Sequence, residues 1–335
     1  MQNVVVLGGG TGSYVTLLGL KRYSSELDLA AIVTVADSGG SAKQERDEFG
    51  LLPVSDVRKA LIALARDSDE RRQWILRELF NYRFVNGQAG LKGGTFGNLL
   101  LVVLSNILGS EQAAIEEAES MLQTEGRVVP VSLTTSNLVM EYDNGQVIVG
   151  EHYLDDFPGD GTQRVNKAYL LPAIKANLKA LAIIKEADII IFPPGDLYAS
   201  VVANLLVEGV ADAIKSSSAK LIYFVNLMTK YGQTYKHKAS DHVGVIEQYL
   251  GRKLDHILIN KRPLPKRVLT AYEKEKDFPV KDDLKNDVRV VRADLLQPVL
   301  VKAQVGDKLK RSLIRHDPEK ITSNLMKIIR TKGVK

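Results

Sequence analysis

The chain has 335 residues, 45% hydrophobic and 25% charged, the balance of a soluble globular protein with enough length for a large core. It contains no cysteine, which excludes disulfides, thiolate nucleophiles and cysteine-held metals. The net charge of +5 is spread among interspersed acids, without zinc-finger spacing or an aromatic RNA-binding box, so no nucleic-acid partner is expected. A modest positive field suits small anions such as nucleotides instead.

In chain order, MQNVVVLGGG has no basic leader region, and no apolar run is long enough to span a bilayer, so a cytoplasmic protein is expected. Its VVVL run, closed by glycine, predicts a buried parallel strand at 3–7, followed by GGGTG and a helix at 13–22. AAIVTV predicts a second strand at 30–35, completing a right-handed βαβ unit. Helices are expected at 56–66, 70–84, 96–108 and 110–123, then a strand at 128–133. NLVMEY and QVIVGE flank Asp143-Asn144-Gly145 and predict a hairpin over 137–151. The same rhythm continues with a helix at 172–184, strand at 188–192, helix at 197–215, strand at 220–225, helix at 240–250 and strand at 256–259. Residues 261–315 read as irregular, and 317–330 as an amphipathic helix. This alternation predicts an α/β fold, a Rossmann-like doubly wound, mostly parallel sheet in one domain over 1–335, with the hairpin and 261–315 as excursions.

Open α/β sheets bind ligands beyond the carboxyl ends of their strands. Four predicted strands end there in GGGTG, ADSGG, PPGD and NLMT. Glycine-rich turns cost backbone entropy, so several at one edge suggest close approach of a ligand. The first loop lacks the P-loop lysine, and GxGxxG spacing would place glycine where Ser13 stands. N–H groups at its helix start still favour an anion, against a purely structural turn. Asp37 ends the second strand, where it can bind a ribose hydroxyl or magnesium, or cap the next helix. Asp56 reads as an N-cap or a ligand contact. Asn98 falls near a helix start behind Gly93-Gly94-Thr95. Asp196 reads as an N-cap or a pocket residue, and Tyr198 and Ser200 can equally face a nucleotide. The five histidines show no metal-ligand spacing, and adjacent Ser240, Asp241 and His242 point in different directions. His316, between Arg315 and Asp317, reads as part of a cluster capping the final helix.

The motifs GGGTG, TVADSGGS, LPVSDVR, GNLLL, PPGDLYASVVANLLV, NLMTKYGQT, ASDHV and RHDPEKI occur in this order. Together they resemble the YvcK-like (gluconeogenesis factor) branch of the CofD-like family, whose other branch contains 2-phospho-L-lactate transferases. The resemblance implies a nucleotide pocket that takes a UDP-sugar, UDP-N-acetylglucosamine in particular, or NAD in some members. It also implies a regulatory role in gluconeogenic growth, cell-wall precursor flux and cell shape, with cell-envelope regulatory proteins or a homodimer as partners. Carried over, Gly9, Gly10, Thr11 and Gly12 line the phosphate loop, with Asp37, Ser38 and Asn98 in the next two motifs. Gly195, Asp196, Tyr198 and Ser200 stand where the family commonly has GPGSLYTS. Asn226 and Thr229, Asp241 and His242, and Arg315 occupy the last three. Ser38 replaces a family acid, Gly94 a histidine, and Pro318 a threonine that can be phosphorylated in the family, so regulation through that threonine is expected to be absent. The enzymatic alternative is a magnesium-dependent transferase using a nucleotide-activated donor, with Asp37, Asp56 and Asp196 as metal ligands. An NAD-dependent oxidoreductase is the weaker third reading, because no hydride-transfer constellation is visible.

Overall fold

A computed structural model of the protein describes residues 1–36, 54–67, 71–84, 93–150, 153, 157–298 and 313–331. Its frame is a seven-stranded sheet in the order β10-β9-β8-β7-β1-β2-β3, with every neighbouring pair parallel. The strands are β1 (Gln2–Gly8), β2 (Leu27–Val33), β3 (Arg127–Pro130), β7 (Ile189–Phe192), β8 (Lys220–Phe224), β9 (His256–Asn260) and β10 (Val290–Ala293). A second sheet, antiparallel, holds β5 (Val147–Val149), β4 (Asn137–Tyr142) and β6 (Val165–Leu171) in that order.

Strand side chains alternate, and both faces of the main sheet are covered, so its strands read as continuous apolar runs. Val5, Ile32, Ile190, Leu221 and Ile257 share one core with Leu138, Met140 and Leu170 of the small sheet. The same face carries α6 (Leu178–Glu186), α8 (Val210–Ser216) and α9 (Ala239–Leu250). Val4, Val6, Ala31, Ile191 and Ile222 point the other way, into a second core. That core is closed by α1 (Gly10–Leu20), α2 (Ser55–Leu64), α5 (Glu111–Leu122) and α11 (Pro318–Arg330). Each fully buried Leu or Ile contributes about 1.5–3 kcal/mol here. Two further helices, α3 (Arg71–Asn81) and α4 (Phe96–Leu108), lie against α5. α1 and α11 are in intimate contact: a Cβ on Gly19 would stand 1.8 Å from Thr322 Oγ1.

The parallel sheet, the α4 bounds and the hairpin turn match the sequence reading, the turn closing with Gly145 at φ +81°. Other boundaries shift for identifiable reasons. β2 starts at Leu27, because Asp28 is accommodated at the sheet rim by an ion pair with Arg127 at 2.8 Å. α1 starts at Gly10, because glycines taken as loop belong to its first turn. The helix expected from 172 begins only at Leu178, where Asn177 accepts from the Lys179 N–H at 3.0 Å. The hairpin gains a third strand, β6, whose alternation went unread. The helix expected over 197–215 is three pieces: a π-helix at Leu197–Val202, a short α7 (Ala203–Leu205), and α8 after Gly209 at φ +95°. Within 261–315, expected to be irregular, α10 (Lys266–Lys274) and β10 are regular.

Candidate functional site

The strand order reverses between β1 and β7, since the chain runs from β1 outward to β3 on one side and from β7 to β10 on the other. That is the switch point at which such sheets open a crevice beyond their carboxyl ends. Gly9 is the N-cap of α1 and has no side chain to satisfy its first N–H groups, which carry the positive end of the helix dipole. Gly10 has φ +63°, and its N–H donates to Asp56 Oδ2 at 2.7 Å. Lys59 donates to the other oxygen at 2.8 Å. Asp56 therefore caps no helix of its own; from the first turn of α2 it ties down the glycine loop. Thr11 is half-buried in the same turn.

Close packing explains Gly12. A Cβ there would fall 1.2 Å from the Pro194 carbonyl oxygen. The absence of that atom lets the turn after β7 lie directly on α1. Ser200 Oγ then stands 3.9 Å from where a Gly10 Cβ would be and 3.7 Å from that of Gly195. Asn226, just after β8, donates its Nδ2 to the Gly195 carbonyl at 2.6 Å. Gly9, Gly10, Gly195, Ser200 and Asn226 are thus brought together. Asn204, in α7, joins them by donating to Gly8 O at 3.3 Å and Ser200 O at 2.7 Å. Among the described residues Asn204 Oδ1, Asn226 Oδ1 and Ser13 Oγ are buried without a hydrogen-bond partner. Leaving such an oxygen unpaired costs about 1–3 kcal/mol. Sequence reasoning missed Asn204 and Ser13; the signal for Asn204 is a lone amide inside the apolar run VVANLLV.

Asp196 occupies the N-cap position of the π-helix, yet its carboxylate accepts none of that helix's N–H groups. It faces Lys230 Nζ at 3.4 Å instead. A π-helix directly after this turn is itself a feature frequent at functional sites. Arg315 comes to the same edge of the sheet, in the segment that follows Leu296 by pairing His316 with it. Its guanidinium is half-buried and makes no ion pair among the described residues. Burial lowers its pKa, against the pull of the nearby Tyr272 and of Tyr14 on α1.

Other expected residues lie elsewhere or serve the fold. Tyr198 is buried in the core, and burial raises its phenol pKa. Thr229 is buried and holds Phe278 through two hydrogen bonds, at 2.6 and 2.9 Å. Asp241 starts α9, accepting from the Lys238 N–H at 2.8 Å and from Arg164 at 3.0 Å. His242 is fully buried 3.3 Å from the Tyr223 hydroxyl, and burial, helped by His237, pushes its imidazole down to about 3. Asn98 is buried and accepts from Arg58 Nε at 2.9 Å. His316 does not cap the final helix: it is buried beside the Phe224 ring, burial pushes it down to about 4, and Asp317 alone caps α11. Asp37 and Ser38 lie outside the described residues. Among the described residues no three His, Asp or Glu side chains are grouped to hold a metal ion, and no helix is long and apolar enough to cross a membrane.

Comparison with known proteins agrees with this architecture. Residues 4–296 match the family model described as 2-phospho-L-lactate transferase CofD. A relative in Thermotoga maritima is 39% identical over 329 residues, covering 98% of this chain and 100% of its own. The protein named gluconeogenesis factor in Bacillus subtilis is 34% identical over 329 residues, covering 98% of each chain. A crystal structure of a Bacillus halodurans protein of the UPF0052 family superposes with a TM-score of 0.85 at 35% identity, over 97% of this chain and 100% of that one. With its sheet, its glycine loop and nearly its whole length accounted for in this way, the chain belongs to the CofD family.

Proposed function

We propose that the β1/β7 crevice binds a nucleotide sugar, UDP-N-acetylglucosamine, with NAD as the alternative ligand. On this reading the protein is a cytoplasmic regulator that links gluconeogenic growth to cell-wall precursor flux and cell shape. The observation that carries the binding step is the glycine-built N-terminus of α1, where only the Gly10 N–H is taken by Asp56, held against Gly195 and Ser200 at the sheet's switch point. A diphosphate is what such a helix end accepts. Arg315, half-buried and without an ion pair among the described residues, supplies a matching cation. The orphaned Asn226 oxygen, on a partly exposed residue, offers an acceptor for a hydroxyl or N–H group of the sugar or base. The link to gluconeogenesis rests on the name of the Bacillus subtilis relative. The choice of UDP-N-acetylglucosamine and the role in cell shape rest on the motif resemblance.

Calorimetry with UDP-N-acetylglucosamine and NAD tests this. Heat of binding is expected for at least one of them, and Arg315→Ala is expected to weaken it about tenfold or more, the loss of a charge-assisted hydrogen bond. No heat from either nucleotide at high micromolar concentration refutes the reading. Unchanged affinity in Arg315→Ala removes that residue from the site.

The description of the matching family favours a second reading, a transferase, which we take to be magnesium-dependent by analogy with phosphoryl chemistry. Asp56 does not fit the metal-ligand role as it stands, because Gly10 and Lys59 occupy its two oxygens. Asp196 is likewise engaged with Lys230. Magnesium-dependent turnover of a nucleotide-activated donor decides for the enzyme.

A further inference from the structure

We propose that the outer face of α3 and α4 is the surface through which two copies of this chain pair about a two-fold axis. α4 has no charged residue along its 13 positions. A helix on the surface of a monomer carries a charged outer face, and one that is apolar all round is normally buried. Yet Val103 on α4 is half exposed, and Ile107 is 72% exposed. α3 meets α4 as a hairpin: the Phe96 N–H donates to the Tyr82 carbonyl at 2.8 Å, and a Gly97 Cβ would stand 2.5 Å from the Phe80 carbonyl oxygen. α3 and the residue after it add Trp74, 59% exposed, with Ile75, Leu79 and Tyr82. Together these side chains offer roughly 600 Å² of apolar surface, at the upper end of what a monomer shows in one patch and not far below the ~800 Å² each partner gives to a standard interface. Arg58 of α2 fastens both helices from inside, donating to Asn98 Oδ1 at 2.9 Å and to Phe80 O at 3.2 Å, so the face is anchored in the fold.

The charges on α3 select a second copy as the occupant. Arg71, Trp74, Ile75, Glu78 and Tyr82 recur at helical spacing along one stripe. Arg71 and Glu78 are exposed and make no ion pair among the described residues, where Arg77 is the α3 residue that is paired, with Asp67. A two-fold axis passing between Trp74 and Ile75 runs the two α3 helices antiparallel. It sets Arg71 against Glu78 of the partner subunit, and by the same symmetry Glu78 against Arg71 of the partner subunit. Trp74 then lies over Ile75 of the partner subunit at the centre, where an aromatic anchor contributes most. The stripe is thus its own complement, apolar in the middle and oppositely charged at its two ends. A partner of a single charge sign would satisfy one end and oppose the other.

Sedimentation of the full chain over a range of concentrations tests the assignment, with circular dichroism to establish that each variant folds. The unaltered protein is expected to sediment as a dimer, and Ile107→Glu, which puts a charge into the apolar face, as a monomer. Arg71→Glu sets like charges opposite each other twice and is expected to weaken the dimer at least tenfold. Glu at the first position of α3 suits the helix dipole, so this variant keeps its fold. Arg71→Glu combined with Glu78→Arg exchanges the two charges and is expected to restore the dimer. Trp74 is the one tryptophan of the chain, so its emission reports on this face and is expected to shift to the red as the dimer dissociates. An unaltered protein that is monomeric at about 100 μM overturns the proposal, whether the face is bare or serves another partner. A dimer that persists in folded Ile107→Glu also overturns it, since the interface then lies elsewhere. If Ile107→Glu does not fold, the charge exchange decides: a dimer that Arg71→Glu leaves within about twofold, or that the double variant fails to restore, overturns the proposal.

Discussion

Replacing Gly12 by alanine separates a packing role for the glycine loop from a helix-propensity one. Gly12 is helical, in the first turn of α1, so propensity alone favours alanine by about 1 kcal/mol. The added Cβ would stand 1.2 Å from the Pro194 carbonyl oxygen and 2.5 Å from its carbon, and both are backbone atoms that cannot rotate aside. Relief requires α1 or the turn after β7 to retreat by about 2 Å, an overpacking cost of about 3 kcal/mol that leaves a net loss of about 2 kcal/mol after the propensity gain. At about 2.1 cal/mol/K of unfolding entropy per residue, that lowers the Tm of a 335-residue chain by about 3 °C. Thermal denaturation followed by circular dichroism measures it. Gly244→Ala is the matched control: this glycine is in α9 with nothing within 4 Å of its Cβ position, and alanine there is expected to stabilise by about 0.5–1 kcal/mol. A Tm for Gly12→Ala equal to or above that of the unaltered protein refutes the reasoning. Because the retreat opens the β1/β7 crevice, nucleotide affinity is expected to fall with it.

Asp317 accepts from the N–H groups of Glu319 and Lys320, at 2.9 and 3.0 Å, and Asp317→Ala is expected to cost about 1 kcal/mol of stability in denaturant unfolding. Burial pushes the Glu119 carboxyl up to about 7, although the Val128 N–H donates to it. The folded state thus favours the protonated acid, so its stabilising contribution is full below the unfolded value of 4.5 and is lost as pH rises through about 7. Glu119→Gln is expected to gain in Tm relative to the unaltered protein between about pH 5 and about pH 8, and a constant difference over that window contradicts the assignment.

Much of the fold was legible because the apolar runs of the parallel strands are dense and short, as in VVVL, DIIIF and KLIYFV. Each is buried on both faces, which leaves a signal that periodicity detects. β6 and β10 carried weaker signals: VNKAYLL has three exposed positions, and VVRA has no fully buried residue. The break at Gly209 was hidden inside an apolar stretch that reads as one helix. For the site, loops at the carboxyl edge were legible as loops, and Gly9, Gly10, Gly195, Ser200 and Asn226 do come together. What single-sequence reading could not supply was the job of each polar group. Asp56, Asp241 and Thr229 look like ligand residues by type, yet their hydrogen bonds go to Gly10, Lys238 and Phe278. Asn204 looks like an intrusion in a helix, yet it fastens the end of β1 to the π-helix.

The seam between α1 and α11 has a consequence for biosynthesis. α1 and its glycine loop are made about three hundred residues before Thr322 of α11 and Arg315 just ahead of that helix. Until they arrive, Gly19 and its neighbours present a bare groove, and the crevice lacks its half-buried guanidinium. A ribosome that stops before α11 therefore releases a chain with most of its sheet and an unsealed helix, a target for chaperones and proteases.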